Sequence, residues 1–156
     1  MDILLWLYLV ALCIHVLDES TSGQGFVDWV KHEFWPEYNG IRFFYANTIV
    51  FILHLIFIIV YEAFGGVSVI LPLITAWLFT GNGFCHWIYT LITKKYSPGL
   101  ITSPIYWIIM YFIIKQELLK GDLDLTWFVI SLAIGGFLGV MSFGSFYIIK
   151  LKQKNM

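Results

Sequence analysis

The chain has 156 residues, of which 60% are hydrophobic, 19% aromatic and only 12% charged, and its mean hydropathy is +0.82. Soluble domains carry roughly a quarter charged residues, and so few polar side chains cannot coat a folded domain of this size. That excludes a soluble globular protein and points to an integral membrane protein, with residues 1–156 as one domain. The net charge of −1, with no basic run interleaved with aromatics, excludes a reader of nucleic-acid backbones.

Crossing the hydrocarbon core takes about 20 apolar residues, and five segments supply them. The first covers about 3–20. It opens with Asp2 rather than a basic stretch and has no small-residue cleavage site after it, so it reads as a retained helix and not a signal peptide. Residues 25–35 follow, with Phe26, Trp29, Val30 and Phe34 at helical spacing and Asp28, Lys31 and Glu33 on other faces. This predicts a short amphipathic helix in the headgroup region, ended by Pro36, with Trp29, Trp35 and Tyr38 in the aromatic belt. The second span covers about 43–64 and stops at the "FGG" of Phe64 to Gly66. The third covers 67–93, with Pro72 in its first turns, where a missing N–H does least harm. "KKYSPGL" reads as an interfacial turn bent at Pro98-Gly99. The fourth span covers 100–119 and the fifth 125–151, before a basic tail. The expected fold is all-α: a polytopic membrane helix bundle of about five transmembrane helices plus a short interfacial helix.

Lys and Arg set the orientation. With the N-terminus outside, the cytoplasmic loops hold Lys31, Arg42, Lys94, Lys95, Lys150, Lys152 and Lys154, and the outer loops only Lys115 and Lys120. Cytoplasmic loops carry the excess of basic residues, so the N-terminus is expected outside and the C-terminus inside, at the plasma membrane. Cys13 and Cys85 lie in apolar stretches with no paired spacing and read as free thiols.

The first span ends in "IHVLDES". His15, Asp18 and Glu19 stand at i, i+3 and i+4, on one helical face at the cytoplasmic edge. The second span enters on that side with Asn47, and His54 lies about 10 Å deeper. The third leaves on that side with Thr75, Asn82, His86 and Thr90 in one stripe. Polar groups in hydrocarbon face one another or water, because each unsatisfied one costs several kcal/mol. His15, Asp18, Glu19, Asn47, Asn82 and His86 are therefore expected to line one cup open to the cytoplasm. Each also has a plainer reading. Asp18 and Glu19 can be solvated helix ends, His86 a packing histidine, and Asn47 and Asn82 interhelical glue. His54 reads as structural, His32 as solvated, and Glu62 has no assigned role.

The pentad "HVLDE" resembles the His-x-x-Glu-Glu signature of the HXXEE family of small membrane proteins. "GFVDWVKHEF", "RFFYAN", "NGFCH" and "KKYSPGL" follow it in the expected order, so the resemblance covers about Leu5 to Pro104. It implies that His15, Asp18 and Glu19, with Asn82 and His86, form the family's shared polar site. Asp18 departs from the pattern, standing where the family has Glu, one methylene shorter. The resemblance names no reaction.

Two classes of function follow. In the first, a membrane-embedded enzyme uses these groups for acid–base chemistry, isomerisation or hydrolysis, on a lipid-like or isoprenoid substrate entering from the inner leaflet. Two His and one or two carboxylates can also hold a divalent metal, Zn²⁺ or Fe²⁺, with an open position. In the second, the protein is a non-enzymatic carrier, ligand-binding or assembly protein. Ser131, Gly135 and Gly139 form a small-xxx-small ridge that lets two helix backbones approach, within the bundle or between two copies. No inverted repeat is visible, and the polar residues sit toward one face, which favours an interfacial site over a through-path.

Overall fold

A computed structural model describes residues 1–154 and contains six α-helices. They are α1 (Ile3–Thr21), α2 (Phe26–Glu33), α3 (Gly40–Phe64), α4 (Ile70–Thr93), α5 (Ser103–Lys120) and α6 (Leu125–Lys154), with one 3-10 turn at Gly66–Val69 before α4. The helix starts follow local chemistry. The Asp2 side chain accepts from the Leu4 N–H at the head of α1, and Asn39 accepts from Arg42 at the head of α3. At the far end of α5 the chain turns on Gly121, φ 81°, in the left-handed conformation that suits glycine.

Side-chain bonds fix how the long helices run. At one end, the Trp6 indole N–H donates to Glu62, Tyr61 donates to Glu117, and the Lys120 ammonium meets Asp2. This Asp2 end therefore gathers the start of α1 and the ends of α3 and α5. At the other end, Thr102 meets Asp18, His86 meets Ser97, and Phe143 packs on Trp29. This Glu19 end gathers the end of α1, the end of α4, the start of α5 and the latter part of α6. α1, α3, α4, α5 and α6 thus run between the same two ends with alternating direction.

Four regions are long and apolar enough to cross a membrane: Ile3–Thr21, Gly40–Phe64, Gly66–Thr93 and Leu125–Lys152. The protein is a membrane protein. The segment expected as a fourth span, α5, has the same reach but is 18 residues long and carries Lys115, Glu117 and Lys120 near its end. Glu117 and Lys120 belong to the polar cluster of the Asp2 end, where Glu117 is fully buried and paired with Lys120 at 2.8 Å. The lipid-facing side of α1 shows Ile3, Leu7, Val10, Ile14 and Leu17, while Leu5, Tyr8, Leu12 and His15 point inward, the periodicity of a helix buried on one face.

The ridge Ser131, Gly135 and Gly139 is used within the chain. All three are buried, and a Cβ on Gly135 would lie 2.2 Å from the Ile74 carbonyl oxygen, one on Gly139 2.3 Å from that of Leu78. α4 and α6 therefore touch backbone to backbone, and α4 occupies the face that a second copy would need. Since the obstacle is main chain, Gly135→Ala is expected to destabilise by about 1–3 kcal/mol, the range for overpacking. Gly144→Ala, with nothing within 4 Å, is expected to be neutral or to gain about 0.5 kcal/mol from its lower unfolded entropy. Denaturation of the two variants in detergent checks the contrast.

The short amphipathic helix expected before the second span is present as α2 (Phe26–Glu33). Its apolar face is turned onto the bundle: Phe26, Trp29, Val30 and Phe34 are buried, and Trp29 packs on Tyr89, Phe143 and the His86 ring. Trp29 and Tyr38 are core residues and not membrane-belt anchors. The reason is the supply of partners: α4 and α6 end in aromatics that an amphipathic face can cover at once. α2 is a cap over the Glu19 end, tethered by Lys95 to Glu33 at 2.7 Å. Burial works against the Glu33 charge, and the Lys95 ammonium, with Tyr89 and His32, outweighs it, so the carboxyl titrates below its ordinary 4.5. A depressed carboxylate stabilises the fold above its unfolded pKa and loses that contribution as pH falls through the folded value. The hydrogen-exchange protection of α2, measured against the intrinsic rate at each pH, is therefore expected to fall below pH 4.5, and in Glu33→Gln this acid-dependent step should disappear.

Candidate functional site

Beneath the α2 cap, α1 and α4 bring three chemistry-bearing side chains together. Glu19 Oε1 lies 3.5 Å from His15 Nε2 and 3.3 Å from His86 Nε2. All three residues are buried, at 2%, 4% and 0% exposure for His15, Glu19 and His86. The i to i+4 spacing on α1 stacks His15 and Glu19 on one face, and the end of α4 delivers His86 opposite them. The two imidazoles meet edge on, with ring centroids 5.7 Å apart.

The tautomers follow from the outer partners. His15 Nδ1 is 2.8 Å from Thr102 Oγ1, and the Thr102 hydroxyl donates to Asp18 Oδ2 at 2.9 Å. A carboxylate can only accept, so the single Thr102 proton goes to Asp18, and Thr102 accepts from His15 Nδ1–H. On the other ring, the Asn82 amide donates to His86 Nε2 at 3.2 Å, which leaves the proton on Nδ1, 2.7 Å from Ser97 Oγ. His15 Nε2 then presents its lone pair toward Glu19 Oε1, and the His86 Nε2 lone pair, 3.3 Å from Glu19 Oε1, takes the Asn82 N–H. His15 Nε2 is buried without a hydrogen-bond partner. His15 Nε2 and Glu19 Oε1 are two acceptors facing each other with no proton between them, an arrangement that a positive species beside them would relieve.

The loop between α4 and α5 closes the back of the trio. Ser97, Pro98 and Gly99 are buried. Gly99 has φ +90°, and a Cβ there would lie 2.7 Å from His15 Cε1 and 3.0 Å from Glu19 Cγ. Only glycine lets this backbone approach.

On the front side His15 and Glu19 border a cavity of about 320 Å³, lined also by Arg42, Asn47, Asn82 and Ser142 among others, while His86 is fully buried against Glu19. The Arg42 guanidinium lies 4.2 Å over the Trp35 ring at this cavity. An apolar groove between α1 and α3, lined by Leu12, Cys13, Val16, Phe44 and Phe51 among others, adjoins it, and Phe43 and Asn47 line both spaces.

Of the six residues expected to form one cup, His15, Glu19 and His86 make the centre, and Asn47 and Asn82 line the cavity. Asn47 Nδ2 donates to the Phe43 carbonyl of its own helix, so its contribution is shape and its free oxygen. Asp18 does not face the cavity; it accepts from Thr102 and from the Ser22 hydroxyl and supports His15 from behind. His54 is fully buried and bonded to Thr75 at 2.6 Å, away from the trio. Thr102, Ser97, Gly99 and Arg42 were not legible as site residues. Ser97 and Gly99 sit in a stretch that reads as a plain turn, Thr102 in the opening of the fourth span, and Arg42 reads as an interfacial charge.

A family model described as "Protein of unknown function with HXXEE motif" matches residues 6–114. The chain belongs to the HXXEE family. No curated protein and no solved structure matches the chain. In this HXXEE protein the motif reads His15-x-x-Asp18-Glu19, and its three ionisable residues have separate tasks: His15 and Glu19 face His86, and Asp18 holds the His15 tautomer through Thr102. The matched stretch also contains Arg42, Asn82, His86, Ser97, Gly99 and Thr102.

Proposed function

We propose that this HXXEE protein is a membrane-embedded enzyme that performs acid–base chemistry on the polar head of a lipid-like or isoprenoid substrate. The observation that carries this reading is the placement of His15 and Glu19, with His86 against Glu19, on the wall of a cavity that also holds Arg42, Asn47 and Asn82 and adjoins an apolar groove. The head lies in the cavity, within reach of the trio, and the tail lies in the groove between α1 and α3. Arg42, with its planar fork of donors, recognises an anionic head. Asn47 and Asn82 orient it. The Glu19 end faces the cytoplasm at the plasma membrane, a placement supported by the seven Lys and Arg of its loops and tail against two at the other end.

The test uses the purified protein and a total lipid extract from the membrane that expresses it, followed by mass spectrometry of bound and free lipids. The wild type is expected to retain an anionic lipid and to convert it to a product of altered mass or double-bond position. Arg42→Gln is expected to retain at least about tenfold less, the loss for one charge-assisted contact. Glu19→Gln is expected to retain the lipid without converting it. Retention without conversion in the wild type would make the protein a binding or carrier protein and overturn the enzyme reading.

A further inference from the structure

We propose that His15 Nε2, Glu19 Oε1 and His86 Nε2 bind one divalent transition-metal ion of the zinc class, with a coordination position left open to the cavity. The inference deepens the enzymatic reading above, on which it rests for what the ion does and not for whether it binds.

A shared proton and a metal ion make different demands on the same three atoms. A proton held between imidazole and carboxylate draws them to about 2.7–2.9 Å. Here the two separations are 3.5 and 3.3 Å. Two ligand atoms about 2.05 Å from one ion at the tetrahedral angle lie about 3.3 Å apart. Both histidine–Glu19 separations have the spacing of neighbouring ligands in a coordination sphere and are too open for a proton bridge. His15, Glu19 and His86 each offer one ligand atom, and these atoms all lie within 4.8 Å of one another.

The surroundings have the organisation of a metal centre as well. A ligating histidine needs its other ring nitrogen held by an acceptor, which fixes the tautomer and aims the lone pair. His15 has Thr102 and, behind it, Asp18; His86 has Ser97. Two imidazoles and one carboxylate, with a fourth position facing a cavity, is the ligand set of hydrolytic zinc sites. Asn82, whose Nδ2 lies 3.2 Å from His86 Nε2 and whose Oδ1 accepts from Ser142, stands beside the same place, and its N–H yields the His86 lone pair when an ion binds. The ion would polarise an oxygen of the substrate head or lower the pKa of a bound water.

The experiment is metal analysis of full-length protein purified in detergent without chelator, followed by chelation and titration with Zn²⁺ and, for its absorption bands, Co²⁺. The wild type is expected to bind one equivalent per chain and to give tetrahedral Co²⁺ bands. His15→Ala, Glu19→Ala and His86→Ala are expected to lose both, each checked for folding by monodisperse elution and helical content. Thr102→Val leaves all three ligands in place and is expected to keep the stoichiometry while weakening affinity about 10–100-fold. Folded wild type that binds neither ion at a saturating excess, or that binds as tightly as the three ligand variants, overturns the proposal. Lipid retention is measured on the same samples. Lipid conversion without metal overturns the metal site alone, and metal without any bound lipid overturns the substrate reading alone.

Discussion

Replacing Gly99 with alanine is expected to weaken Zn²⁺ binding about a hundredfold, the scale of loss when a reactive group is displaced by about 1 Å, with helix content unchanged. Gly99 is not a ligand. Its backbone lies against the back of the trio, where a Cβ would stand 2.7 Å from His15 Cε1, 3.1 Å from His15 Nε2 and 3.0 Å from Glu19 Cγ. Either the loop or the imidazole must withdraw, and either movement spoils convergence of the three lone pairs. The φ of +90° adds a conformational cost, about 1–2 kcal/mol for a residue with a Cβ. Gly121→Ala separates the two effects, because Gly121 also has positive φ, 81°, but has nothing within 4 Å. It is expected to lower stability alone. Competition with a chromophoric chelator gives the affinities, and equal affinity in Gly99→Ala and wild type would show that the loop does not brace the site.

At the opposite end, Glu117→Ala is expected to destabilise the bundle by about 3 kcal/mol, roughly two hydrogen bonds to a charged group at the low end of about 1.5–3 kcal/mol each. Glu117 is fully buried. It accepts from Tyr61 at 2.5 Å, from Lys120 at 2.8 Å and from Gln116 at 3.0 Å. Lys120 and Gln116 also reach Asp2, the head of α1, so one carboxylate ties α1, α3 and α5. Lys120 keeps Asp2 and Tyr61 keeps Asp122 in the variant, which is why the loss stays near the lower bound. Chemical denaturation in detergent, followed by circular dichroism, reads it. Metal affinity should not move, since the cluster lies at the far end. A loss below about 1 kcal/mol would place this pair with exposed ones.

The membrane class and the number of long helices were legible because hydropathy is a local property: about 20 apolar residues suffice to reveal a helix of that length. The pairing of His15 and Glu19 was legible for the same reason, i to i+4 being a fact of one helix. His86 could be set at the matching depth by counting residues from Lys94. The position of α2 was not legible, because an amphipathic face does not say whether lipid or protein covers it. Nor was the division of labour inside the motif. Asp18 and Glu19 are adjacent, 100° apart on the helix, and only the arrival of Thr102 from a distant turn decides that one carboxylate supports and the other confronts the histidines. Ser97 and Gly99 belong to a turn whose local chemistry says bend and nothing about what the bend encloses. Ser131, Gly135 and Gly139 announced close approach of two backbones, while the identity of the second backbone, α4, is a tertiary fact.

The helices that enclose the cavity are unequally held. α4 is locked to α6 along a glycine seam, and it carries His86 and Asn82 as a fixed post. α3 has only three buried residues, His54, Ile58 and Tyr61, all in its latter half, where Tyr61 joins the Asp2-end cluster. Its first half, with Arg42, Phe43 and Asn47, leans on the neighbouring elements with little buried surface to hold it. Elements with few buried apolar contacts open at the least free-energy cost. α3 is therefore held like a door at its Tyr61 end, and its Arg42 end, where Phe43 packs on Phe26 and Arg42 stacks on Trp35, is the end expected to open first. A guest leaving sideways would carry the arginine with it for the first part of the journey, so release would be slowed by the same charge that selects for entry.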